Sequence, residues 1–326
     1  VGCSRESKDY AASFEPNLVH AMKYHLSENI PKDKMEMASE DANWVVDGMF
    51  GTPDDPSLPE FLTDEDFSEL ISLERLKAAA GPVAEGQGIY RKHCISCHGI
   101  TGNGRGENSA ILDPYPRDYR KGLFKFKSTK RSAKPTREDL ARVIRDGIAG
   151  TAMKKIPELT EADIQALVDY VIYLSIRGEL ERTLIDDAVL ELDLAEGDRI
   201  VDRQFADSIA GAAREAVEQQ VQAWEEGGEN EEDPAAELAE RLELYDESME
   251  IAEDYLADIA DAWLEAEDDF VDVPEPPADI PVANNYAEFV ALSEGDQADA
   301  MAKSIERGQE LFVGEFAACS KCHGTE

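Results

Sequence analysis

Gly86-Gln87-Gly88-Ile89-Tyr90-Arg91-Lys92-His93-Cys94-Ile95-Ser96-Cys97-His98-Gly99 ends in C-x-x-C-H, the spacing at which a chain attaches a c-type haem. At the end of a helix, Cys94 and Cys97 lie three residues apart and His98 lies four beyond Cys94, so all three project from one face. Two thiols there can form thioethers with the porphyrin vinyl groups, and the imidazole can ligate iron from beneath the ring. One such motif also fits a thiol-redox pair or half of a zinc site. Here it recurs at Cys319-Ser320-Lys321-Cys322-His323-Gly324, and so does its lead-in. Gly86-Gln87-Gly88-Ile89-Tyr90 matches Gly308-Gln309-Glu310-Leu311-Phe312, with three extra residues before the second cysteine pair. Two copies with a shared lead-in predict two covalently attached haem c groups. Cys94, Cys97, Cys319 and Cys322 are the expected attachment points, and His98 and His323 the expected iron ligands.

Against 32 Lys and Arg the 326 residues carry 71 Asp and Glu, a formal net charge of −39. That balance excludes general nucleic-acid binding and predicts a strongly solvated protein. Four of the five cysteines belong to the two motifs, which leaves Cys3 and no disulfide framework. Haem attachment takes place outside the bacterial cytoplasm, so an exported, periplasmic protein is expected. No run of 18 apolar residues occurs that could span a membrane as a helix. Val1-Gly2-Cys3-Ser4 is similar to the end of a bacterial lipoprotein signal. On that reading Cys3 carries lipid and tethers the protein to a membrane; the alternative is an unmodified cysteine.

Residues 1–80 read as a tether and a helical lead-in. Leu18, Val19, Met22 and Leu26 have the spacing of a short amphipathic helix. Trp44, Val45, Val46, Met49 and Phe50 form an apolar knot ended by the turn-rich Gly51-Thr52-Pro53-Asp54-Asp55-Pro56. A further helix is expected to open at Asp64-Glu65-Asp66 and to run through Leu70, Leu73 and Leu76. His20, His25, Met35, Met37 and Met49 are possible iron ligands by type, and none is assigned that role.

Residues 81–178 read as a complete haem domain. A loop with Gly99, Gly102, Gly104 and Gly106 follows the motif and suits wrapping of a haem edge. Further on come Gly150-Thr151-Ala152-Met153 and then Thr160-Glu161-Ala162-Asp163, a capping box ahead of Ile164, Leu167, Val168, Val171 and Leu174 at helical spacing. A glycine-aromatic helix into C-x-x-C-H, a G-T-x-M loop and the closing Leu167-Val168-Asp169-Tyr170-Val171-Ile172-Tyr173-Leu174-Ser175 resemble a class I cytochrome c. The resemblance implies that the first and last helices cross and that Met153 is the second axial ligand of the haem held by Cys94, Cys97 and His98. The sequence departs from the family in having Lys154 where proline commonly follows the methionine, with Pro157 three places later.

From Arg117 to Arg137 there are nine basic residues and one acid, Asp118, a local reversal of the overall charge. Arg117, in Tyr115-Pro116-Arg117-Asp118, suits a haem propionate. The others fit a solvated loop, a docking surface for an acidic redox partner, or one for the chain's own acidic arm.

That arm belongs to residues 179–273, a connector and an acidic helical hairpin. Phe205, Ile209, Ala213, Val217, Val221 and Trp224 outline one helix, closed by Gly227-Gly228. Asp233-Pro234 starts the next, whose Leu238, Leu242, Tyr245, Met249, Ala252, Leu256, Ile259 and Trp263 repeat with heptad spacing and ask for a partner along the whole length. Between Glu225 and Asp272 lie 21 acids and one base, Arg241. Residues 274–326 read as a proline-rich linker and the start of a second haem domain, without a methionine loop or a closing helix.

The expected fold is therefore mainly α. By resemblance, the expected function is single-electron transfer in a respiratory chain, between redox protein partners that the sequence does not name. Such a carrier is not an enzyme. The alternatives are a di-haem enzyme such as a peroxidase, which needs one iron with an open sixth position, and an electron-entry subunit of a larger respiratory complex.

Overall fold

The computed structural model describes residues 13–64, 67–80, 88–228, 233–272, 281–283, 285–314, 319–320 and 324. The chain forms two compact units, Val1–Phe270 and Val271–Glu326. Both are helical, and no strand occurs among the described residues.

The first unit is organised round one long helix. Ahead of it come α1 (Leu18–Ser27), α2 (Lys32–Phe50), α3 (Leu73–Ala80), α4 (Ile89–His93), α5 (Ile95–His98) and α6 (Arg137–Asp146). The long helix is α7 (Glu161–Glu191). It starts where the capping box predicts: Thr160 Oγ1 accepts the Asp163 N–H at 3.2 Å, and the Asp163 carboxylate accepts the Thr160 N–H at 2.8 Å. It then runs for 31 residues, about 46 Å at the rise of an α-helix. Every residue from Ala166 to Gly178 is buried. A helix buried on all sides has neighbours on all sides, and α1, α2, α3, α4, α6 and the later α10 all pack on it.

Buried charges lock those neighbours in place. Asp169 of α7 is fully buried and pairs with Arg75 at 2.6 Å and Arg137 at 2.7 Å, while accepting the Ser72 N–H at 2.8 Å. About two turns along, Arg177 donates to Asn43 at 2.9 Å and to Asp47 at 2.6 Å. Glu181 accepts the Asn17 N–H at 2.6 Å. Removing one partner of such a pair strands a buried charge, at a cost of about 3–5 kcal/mol. One apolar core runs from Phe14 to Trp263, and packing is continuous across positions 80 and 178.

The face of α1 differs from its hydrophobic pattern. Leu18, Val19 and Leu26 are exposed, and His20 and Ala21 are the buried residues. The reason is polar. His20 Nε2 lies 2.5 Å from Asp186 of α7, and the Tyr24 hydroxyl donates to the same carboxylate at 2.6 Å. His25 Nδ1 lies 2.7 Å from the Ile30 carbonyl oxygen, and Met35 is a core residue. Residues 65–66 lie outside the description, and the helix expected from Asp64 begins only at Leu73.

The arm comprises α8 (Arg203–Ser208), α9 (Ala212–Glu226) and α10 (Pro234–Leu264). The single helix expected through 205–224 is broken between α8 and α9, where Gly211 has φ +62°. The hairpin is antiparallel: Val221 clusters with Leu242, and Arg214 pairs with Asp246 at 2.8 Å. The apolar seam of α10 has two partners in succession. Leu238 and Leu242 meet α9, whereas Ala252, Leu256, Ala260 and Trp263 join the main core against α7.

In the second unit, α11 (Tyr286–Glu294) and α12 (Ala298–Val313) pack on each other. The lead-in Gly308-Gln309-Glu310-Leu311-Phe312 is helical in α12, as Ile89 and Tyr90 are in α4.

Candidate haem site

The first motif is a single tight turn. α4 ends at His93, Cys94 is the joint with φ −113°, and α5 carries the rest. The Cys97 N–H donates to the Cys94 carbonyl at 3.1 Å and the His98 N–H to the same oxygen at 2.8 Å. Cys94, Cys97 and His98 therefore share one turn, as their spacing predicts. The carbonyls that end such a short helix have no helical partner. The glycine loop supplies them: the N–H groups of Gly104, Gly106 and Asn108 donate to His98, Cys97 and Ser96 at 2.9, 3.0 and 2.8 Å.

His98 is oriented from outside the motif. Its Nδ1 donates to the backbone carbonyl of Arg117 at 3.2 Å. That bond commits the ring proton to Nδ1 and leaves the lone pair on Nε2, the form that binds a metal. Burial lowers the His98 pKa against the opposing pull of this hydrogen bond, which favours the neutral ring. The Arg117 peptide is held close by Gly104, where a Cβ would meet the Pro116 carbonyl oxygen at 2.5 Å. With φ +70° as well, the position calls for glycine. The residue singled out for its guanidinium thus acts on the motif through its main chain.

Neither Cys94 nor Cys97 is in a disulfide. Cys94 packs against the core, and burial, helped by the nearby Cys97, pushes its thiol up to about 12. Among the described residues no three His, Cys, Asp or Glu side chains converge as metal ligands.

The helix crossing expected from the resemblance is made by Tyr90 of α4 and Tyr170 of α7, whose ring centroids lie 4.8 Å apart. The Tyr90 hydroxyl donates to the Gly99 carbonyl at 2.8 Å, tying the crossing to the end of the motif. Met153 lies in the loop between α6 and α7, half-buried against the core. The loop is a small closed hairpin: Gly147 bridges Lys154, the Ile148 N–H donates to the Met153 carbonyl at 2.8 Å, and the Met153 N–H donates to Thr151 Oγ1 at 3.1 Å. Lys154 thus takes part in closing the loop at the place where the family commonly has proline.

Three aromatic residues to which the sequence pattern gives no role at the site form a relay that starts at the motif. Tyr119 stacks on the His98 ring with centroids 4.7 Å apart and planes at 16°. Phe124 stacks on Tyr119 at 6.0 Å and 14°. Trp263 of α10 meets Phe124 edge-on at 5.9 Å and 71°. Nothing in spacing links positions 98, 119, 124 and 263; the tertiary fold brings them together.

The basic run is met in part by the chain's own arm. Lys130 pairs with Asp269, the Lys130 N–H donates to the Asp269 carbonyl at 2.9 Å, and the Arg137 N–H donates to Glu267 at 3.1 Å. Lys134 pairs with Glu179 of α7. In the second motif Cys319 is described, whereas Cys322 and His323 lie outside the described residues, as does Cys3.

Residues 83–175 match the family model of cytochrome c. This part of the chain is a cytochrome c domain, which implies covalently bound haem c and a haem-based electron-transfer role. The donor set fits that group, with two thiols outside any disulfide and a neutral imidazole on one turn. A comparison with curated proteins finds no match. Among solved structures, the reducing HAO-like protein complex of Kuenenia stuttgartiensis is similar at 22% identity and a TM-score of 0.27, over 49% of this chain and 60% of that one. The matched region thus spans less than two thirds of that chain.

Proposed function

We propose that this protein is an exported di-haem c-type cytochrome, tethered to a membrane through Cys3, that passes single electrons between redox proteins of a respiratory chain. The observation that carries the reading is the Cys94–Cys97–His98 turn, with His98 Nδ1 bonded to the Arg117 carbonyl, inside a region that matches cytochrome c. The recurrence of the motif at Cys319, Cys322 and His323 supports the second haem.

When bound, the haem supplies an iron that cycles between its ferrous and ferric forms. The chain supplies the rest. Cys94 and Cys97 would hold the porphyrin through thioethers, His98 would bind iron through Nε2, and Met153 would supply a second iron ligand. The Nδ1–H···O=C bond to Arg117 keeps the imidazole in one tautomer and raises its basicity. The ring of Tyr119, stacked on the imidazole of His98, shields that face of the ligand from water. The Arg117 guanidinium is assigned to a propionate.

The test is production of the full chain with haem-attachment machinery. Intact mass should give two haem adducts, and Cys94→Ala with Cys97→Ala should remove one of them. Cys319→Ala with Cys322→Ala should remove the other, and a reductive titration should take up one electron per haem. A chain that leaves that machinery with no haem adduct overturns the reading. Mass spectrometry of the N-terminal peptide from native material should find lipid on Cys3, and an unmodified Cys3 there removes the tether.

A further inference from the structure

The chain of four rings, three of them stacked and the last edge-on, connects two parts of the molecule that have no sequence relationship: the proximal ligand and the acidic arm. Resting on the haem reading above, we propose that Trp263 is a positioning residue for His98, acting through Phe124 and Tyr119, so that the seating of the arm is read at the iron.

Each link is held from outside. Tyr119 cannot retreat from His98. Its N–H donates to the Gly102 carbonyl at 2.8 Å, and a Cβ on Gly102 would lie 2.8 Å from the Tyr119 ring. Trp263 is 1% exposed and sits beneath Lys134, whose ammonium lies 5.9 Å from the ring centroid. The chain just beyond Trp263 is stitched to the segment just beyond Phe124: Thr129 bridges Phe270, and Lys130 pairs with Asp269. A shift of the arm therefore moves Trp263 and the Phe124 loop as one.

The indole is also retained at a cost. Trp263 Nε1 is buried and meets no hydrogen-bond partner among the described residues, and an unmade buried hydrogen bond is unfavourable. What the indole gives in return is its T-shaped contact with Phe124. At the other end, the His98 ring is held by the Nδ1 bond to Arg117 and by the face of Tyr119. Groups that orient a ligating histidine tune the metal it binds. The coupling is reciprocal, so whatever unseats α10 changes the ligand plane, and a change at the iron biases the arm.

The experiment uses the full chain carrying Cys319→Ala and Cys322→Ala, so that only the first haem contributes. The readout is the ferric electron paramagnetic resonance spectrum, whose g-values report ligand-plane orientation. Trp263→Leu and Phe124→Leu should shift the largest g-value in the same direction. Trp263→Phe keeps an aromatic ring against Phe124 and should retain the parent value. Val221→Ala loosens the far end of the arm without touching the ring stack and should also retain it. Should Trp263→Leu fail to fold, the half-buried Phe124→Leu decides the matter. Unchanged g-values in the Leu variants, with haem attached, overturn the proposal, as does a shift in Trp263→Phe equal to that of Trp263→Leu. Absence of attached haem in the parent chain sinks the haem reading instead.

Discussion

The imidazole of His98 and the peptide of Arg117 form one unit: Nδ1 lies 3.2 Å from the carbonyl oxygen, and Gly104 packs behind that peptide with its φ at +70°. Gly104→Ala adds a methyl 2.5 Å from the Pro116 carbonyl oxygen and strains a left-handed residue, which costs about 1–3 kcal/mol. Displacing the peptide weakens the bond to His98 and lowers the basicity of the ring. Ferric iron then loses more stabilisation than ferrous iron. Denaturant unfolding should give the stability loss, and redox titration of the first haem should give a higher potential. An unchanged potential would mean that the Arg117 carbonyl does not tune the ligand.

The arm should respond differently at its two ends. Leu242, 9% exposed, packs in the small cluster with α9, whereas Leu256, 1% exposed, packs in the main core. Leu256→Ala should destabilise the first unit by about 2–4 kcal/mol, and Leu242→Ala by about 1–2 kcal/mol. The discriminating measurement is hydrogen exchange. Leu242→Ala should raise exchange in 212–250 alone, and Leu256→Ala should raise it in α7 as well. Equal patterns would mean that α10 has one partner and not two.

This difference marks where the sequence is legible and where it is not. Cys94, Cys97 and His98 can be read directly because the covalent chemistry dictates their spacing, and Thr160 and Asp163 because a capping box is local. The heptad of α10 says that a partner exists, but the exchange of α9 for α7 between Leu242 and Ala252 is a tertiary choice. The α1 face was hidden because polar contacts set it: His20 and Tyr24 turn towards Asp186, and Leu18 and Val19 turn outward. The His98 partner was hidden because a main-chain carbonyl leaves no mark on residue type. Only the nearby Pro116-Arg117 and the glycines at 102 and 104 hint at a close approach.

Asp186 carries a pH dependence. Burial raises its pKa, but hydrogen bonds from His20 and Tyr24, with the charges of His20 and Lys23, outweigh burial and hold it at about 2. An unfolded aspartate titrates near ~3.9. The folded value is depressed, so the stabilisation is present above the unfolded pKa and is lost as pH falls through about 2. The side chain is 39% exposed, and solvent screening leaves about 1 kcal/mol. Asp186→Asn should lower the free energy of urea unfolding at pH 7 by that amount, and the gap to wild type should close between pH ~4 and ~2. A gap that stays constant over that window would show that the pair with His20 contributes no charge-dependent stability.

The last prediction concerns Met153, whose loop is closed by the Gly147–Lys154 bridge and by the Ile148 N–H on its own carbonyl. A thioether is a weak, soft donor that favours ferrous iron, and a nitrogen donor favours ferric iron. Met153→His should lower the potential of the first haem and abolish the far-red sulfur-to-iron absorption of its ferric form. Met153→Ala should leave a position that added imidazole or cyanide can fill. Both variants belong in the full chain with Cys319→Ala and Cys322→Ala. An isolated fragment ending at 180 would cut α7, which runs to Glu191, and would strip α1 and α2 from its buried face. The loop backbone bonds do not use the thioether, so helix content should be unchanged in circular dichroism. If Met153→Ala keeps the far-red band and takes up no added ligand, another residue binds the iron, and the hairpin at 147–154 has only a structural role.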